Sequence, residues 1–118
     1  MVARKINVVL LVRSTRVGKK MTALVSGGSG AGSADRMRTV HFGAVGYSDF
    51  TIHKDVARRD RYITRHRNRE DWSLRGIYTP GFWSRWVLWN KPSLRASVHD
   101  IKRRFGGRVK VVVRSRVS

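Results

Sequence analysis

The sequence contains no cysteine, which excludes disulfide staples and thiolate metal sites and fits a reducing compartment. Acidic side chains are scarce too: seven Asp and Glu stand against 26 Lys and Arg, a net charge of +19. A chain so cationic repels itself unless an anionic partner neutralises it. Apolar runs are short, Val8–Val12 being the longest, far below the ~20 residues of a membrane span and too short for the core of a secretory signal. The first 34 residues hold no acid, the profile of a mitochondrial transit peptide, but a basic arm or strand is the better reading.

What is present is aromatic. Three of the four tryptophans fall with Phe82 in the run Phe82-Trp83-Ser84-Arg85-Trp86-Val87-Leu88-Trp89. Such a cluster marks a core or an obligate contact surface. With 118 residues and 41% hydrophobic content, the chain is long enough for one domain with a real core and is not a disordered basic tail.

Lys5–Arg13 is rich in β-branched residues and reads as a strand. Met21–Ser26 and Arg38–Phe42 read as a hairpin around the Gly/Ser-rich stretch 27–33, a flexible tip by composition. After a turn over Gly43–Tyr47, a first helix is expected over Asp55–Arg69, with a thin apolar stripe of Val56, Tyr62 and Ile63. A second is expected over Thr79–Trp89, capped by Thr79 with Pro80 at its first position. In the third, capped by Asn90 and opened by Pro92, Leu94, Val98, Ile101 and Phe105 recur at helical spacing until Gly106-Gly107 ends it. Arg108–Arg114 closes the chain as a Val-rich strand with flanking cations.

The order predicts a small α+β domain: a β-hairpin, about three helices, and basic terminal strands. Residues 1–20 form a basic N-terminal strand or arm, 21–106 the compact core, and 107–118 a basic C-terminal strand or arm. The expected core is Phe82, Trp86, Trp89, Leu94, Val98, Ile101 and Phe105, with Trp86 and Trp89 packed against Phe82 and Phe105. An antiparallel pairing of the ends would oppose Arg4, Lys5 and Arg13 to Arg108, Lys110 and Arg114. Like charges repel there, so at least one end is expected to reach outside the domain as an assembly arm carrying Arg108, Lys110 and Arg114.

No catalytic or metal constellation is legible. Gly27–Gly32 lacks the Lys-Ser/Thr ending of a phosphate loop. No two of His41, His53, His66 and His99 share a helix at i, i+4. The reading is a non-enzyme with no cofactor, no metal and no small-molecule substrate. The strongest functional candidate is Arg58, Arg59, Arg61, Arg65, Arg67 and Arg69 on the first helix, which outnumber the neighbouring acids. Guanidinium forks match phosphate and carboxylate geometry, and Tyr62 or His66 could stack on a base.

His41-Phe42-Gly43 is followed by Gly46-Tyr47-Ser48-Asp49-Phe50-Thr51-Ile52-His53-Lys54-Asp55. Further on come Arg58-Arg59, Tyr62-Ile63, Arg65-His66, Glu70-Asp71-Trp72, Gly81-Phe82-Trp83-Ser84 and Leu88-Trp89-Asn90-Lys91-Pro92-Ser93-Leu94. Together they resemble a small uncharacterised family encoded by large nucleocytoplasmic DNA viruses, over about His41 to Phe105. The resemblance brings no activity and no catalytic residue. It implies a viral setting, in which a small basic protein suits a virion part. The favoured expectation is a minor capsid protein at the capsid's interior face, contacting other capsid proteins and present in the host cytoplasm during assembly. Viral DNA and inner-membrane head groups are the other anionic partners considered. A DNA-binding or genome-packaging protein is the alternative, and a basic ribosomal-type RNA-binding protein the third.

Overall fold

The computed structural model describes residues 5–26 and 37–115, so the Gly/Ser-rich tip at 27–33 lies outside the described residues. Strands β1 (Ile6–Leu11), β2 (Lys19–Ser26), β3 (Met37–Ala44) and β4 (Val109–Arg114) form one sheet in the order β3-β2-β1-β4. The hairpin β2–β3 is antiparallel, as its turn composition predicts, and β1 is antiparallel to β2. Alternation sends Val8, Leu10, Met21, Ala23, Val25, Val40, Phe42, Val109 and Val111 into the core. The helices cover that face, which makes the protein an α+β domain.

The ends correct one expectation. Over the described residues β1 and β4 pair with each other, in parallel, from Ile6↔Val109 to Leu11↔Arg114. The repulsion argument presupposed antiparallel strands. In the parallel register Lys110 lies opposite Asn7 and Arg114 opposite Leu11, so no like charges are opposed. Buried Val109 and Val111 then hold β4 in the core. Residues 109–114 are therefore a sheet strand rather than a free arm.

A short helix that the sequence reading missed, α1 (Phe50–His53), precedes α2 (Val56–His66). Asp49 caps α1 and accepts from Thr51 N–H at 2.9 Å, while Lys54 ends it in the left-handed region at φ 55°. Asp55 caps α2, accepting from Ala57 N–H at 3.0 Å. The expected stripe of α2 is thinner still, since Val56 is exposed and only Tyr62 is buried. After a 3₁₀ turn (Leu74–Gly76) come α3 (Pro80–Trp83), capped by Thr79, and α4 (Leu94–Arg104).

Between α3 and α4, Ser84–Leu88 form a π-turn, closed by a bond from Trp89 N–H to Ser84 C=O at 3.0 Å. The wider turn rotates Trp89 away from the face shared by Phe82 and Trp86. Phe82 and Trp86 do meet Phe105, at ring-centroid distances of 5.6 and 6.1 Å. Trp89 instead lies flat on Tyr62, 4.3 Å away and 3° from parallel, and is only partly buried. Val98 and Ile101 are core, with Leu94 and Phe105 half-buried against it. Trp83, outside the expected core, is fully buried and donates to Ile77 C=O at 2.7 Å. Asn90 does not cap α4. Ser93 does, accepting from Ala96 N–H at 3.1 Å, while buried Asn90 donates to Asp100 at 2.8 Å.

Candidate nucleic-acid interface

Tyr62 fastens α2 to the body of the protein. Its ring sits between His66, 4.2 Å away, and Trp89. Burial and the charge of Glu70 push its hydroxyl up to about 12. Both faces of Tyr62 are thus occupied and it cannot stack on a base, which removes one of the two rings considered from sequence. His66 is paired with Glu70 at 3.0 Å.

Fixing Tyr62 inward sets the rest of the helix. Arg58, Arg65 and His66 recur with it at i, i+4, i+7 and i+8, and line one side of a cleft of about 390 Å³. The opposite wall is the turn after β3, with Gly43, Ala44, Tyr47, Ser48 and Asp49, and Ser84, Leu88 and Trp89 complete the lining. Gly43 is required there: its φ is +77°, and a Cβ would stand 2.8 Å from Leu88 Cδ1.

The charges of the cleft divide into spent and free. Lys20 is bonded to buried Asp49, whose other oxygen caps α1. Arg58 and Arg65 make no side-chain hydrogen bond or ion pair among the described residues. Tyr47, on the lip, is 74% exposed. The cleft therefore offers two uncommitted guanidiniums beside an uncovered aromatic ring.

The other candidate arginines are not all brought to this site. Arg59 bonds Asp60 and Asn90 C=O and lies over the Phe50 ring at 5.0 Å, so it clasps α2 to the body. Arg69 reaches only Arg65 C=O, at 3.4 Å. Arg61 and Arg67 are exposed and do not line the cleft. Arg108, Lys110 and Arg114 lie on the sheet edge formed by β4.

Sequence reasoning did not single out Tyr47, Lys20 or Ser84 as lining. An exposed aromatic in a glycine-flanked turn was a usable signal for Tyr47. Arg85 was also missed. It lies over Trp72 and Trp86 at 5.4 and 4.4 Å and donates to Trp89 C=O at 2.8 Å. Burial, then the nearby Arg104 and Arg59, lower its pKa to about 10. Among the described residues no group of three or more His, Asp or Glu could hold a metal ion, and no helix is long and apolar enough to cross a membrane.

Fold and site define a class: a small α+β domain with helices on one face of a mixed sheet and a cationic, aromatic cleft. A family model described as a family of unknown function, DUF5754, matches residues 9–66. That stretch runs from β1 to the last residue of α2, so it holds both uncommitted arginines and Tyr47 but not Ser84, Leu88 or Trp89. No curated protein and no solved structure matches the chain.

Proposed function

We propose that this chain is a non-enzymatic nucleic-acid-binding protein that acts on the genome in a viral setting. The observation that supports this reading best is the cleft beside α2. Arg58 and Arg65 are free to take phosphates there, and Tyr47 is free to take the face of a base. Proteins that bind single strands combine the same two elements, a cationic track and an aromatic platform. The net charge of +19 supplies the long-range attraction. The minor-capsid role stands behind it, because its main support was terminal strands free to reach neighbours. A genome-associated place in the virion is part of the same proposal.

The test is the salt dependence of binding to a single-stranded oligonucleotide. Replacing Arg58 and Arg65 together by Ala should lower the slope of log K against log salt by about 1.4, since each lost phosphate contact removes about 0.7. Tyr47→Ala should weaken binding by about 1–3 kcal/mol with the slope unchanged, because stacking is not ionic. Arg75→Ala, 88% exposed and outside the cleft, is the control for loss of bulk charge. If it matches either cleft variant, or binding ignores salt, the reading is wrong.

A further inference from the structure

We propose that the free edge of β4 docks an acidic, extended segment of another protein, which adds a fifth strand to the sheet. The site is separate from the cleft and does not depend on the nucleic-acid reading.

The backbone is the first observation. Ile6 N–H donates to Arg108 C=O at 2.8 Å, and Val12 N–H to Arg114 C=O at 3.0 Å. These carbonyls point at β1, and backbone direction alternates along a strand. Val109, Val111 and Val113 therefore turn both N–H and C=O away from β1. No described strand lies on that side. The edge is an unpaired ladder, the template that strand addition uses.

The second observation is the groove beside it. Val113 is 40% exposed although it points to the helix-covered face, because α4 does not close over the end of β4. Leu94, Val98 and Val113 line a groove of about 410 Å³ there, rimmed by Arg95, His99 and Lys102. A strand laid along β4 would set every second side chain into this groove, so those positions should be apolar.

Charge selects the occupant. Arg95 and Lys102 stand at the rim, and Lys110 and Arg114 project from the opposite face of the strand. The acid of α4, Asp100, is occupied by Asn90, Arg103 and Arg104. An incoming strand thus meets uncompensated cation on both sides, which favours Asp or Glu at its remaining positions. A second copy is disfavoured, since its own β4 would oppose Lys110 and Arg114 with the same charges. Nucleic acid has no peptide ladder to match the edge.

The experiment uses the full chain and a capped eight-residue peptide of alternating valine and glutamate, with a valine–lysine peptide as its opposite. The glutamate peptide should bind and slow hydrogen exchange at Val109, Val111 and Val113, while the lysine peptide should not. Val113→Pro removes a donor that β1 does not use, so the variant should melt close to the parent yet bind at least about tenfold more weakly. The double variant Arg95→Glu/Lys102→Glu leaves the backbone untouched and should also lose about tenfold, so the test survives a misfolded proline variant. Equal binding of both peptides, or no binding of the glutamate peptide, overturns the proposal. So does self-association in sedimentation that Val113→Pro abolishes, which would make a second copy the occupant.

Discussion

At the scale of single residues, the aromatic run divides its labour. Trp86 is 7% exposed, edge-on to Phe105, bonded to Trp72 C=O at 2.9 Å, and touched by the guanidiniums of Arg85 and Arg104. Trp86→Ala should cost about 3–5 kcal/mol, by cavity formation and loss of these contacts, read as a shift in chemical denaturation. Trp89 has a narrower task, because only the stack on Tyr62 and His53 depends on it. Trp89→Ala should loosen α2 while sparing the sheet. Hydrogen exchange should speed up in 56–66 and not in β1 or β2, and the Tyr62 hydroxyl should titrate nearer its ordinary value of about 10. Uniform loss of protection would mean that the stack belongs to the core as Trp86 does.

Elements are joined here by a few buried polar groups. Asp100 on α4 accepts from Asn90, which ends the π-turn segment, and from Arg103 and Arg104 on its own helix. Burial is the largest single influence on the carboxyl and raises its pKa. The bonds from Asn90 and Arg104, the charge of Arg104 and the bond from Arg103 together outweigh it, so the net shift is downward. An unfolded aspartate takes a proton near about pH 3.9. Because the folded group takes it lower, its stabilisation is complete above that value and is lost as pH falls through the folded pKa. Asp100→Asn should therefore destabilise the protein at neutral pH, by about 1.5–3 kcal/mol for a charged hydrogen-bonded group. The deficit relative to the parent should shrink on acidification from about pH 6 to about pH 3. A deficit that stays constant with pH would assign the effect to shape rather than charge.

For the whole molecule, the pairing of the two ends is decisive. β1 and β4 are distant in sequence and adjacent in the sheet, so the C-terminal strand completes the core it was expected to leave. Deleting residues 107–118 strips Val109 and Val111 from the buried set and bares the far edge of β1. The truncated chain should lose cooperative unfolding in a thermal melt. A truncated chain that melts like the parent would restore the free-arm picture.

The sequence by itself determined the α+β class, the hairpin, the capped helices at Asp55 and Thr79, and the excess of cation, because these depend on local periodicity, cap chemistry and composition. It placed Arg58 and Arg65 among the candidates but could not separate them from Arg59, which the fold spends on Asn90 and Phe50. That separation needs the side-chain direction of Tyr62, set by the π-turn that aims Trp89, and a π-turn leaves no spacing signature in the residues themselves. The parallel register of the ends was equally out of reach. Strand propensity states that a segment must pair, whereas the choice of neighbour depends on where four helices deliver the chain after some seventy residues of intervening fold.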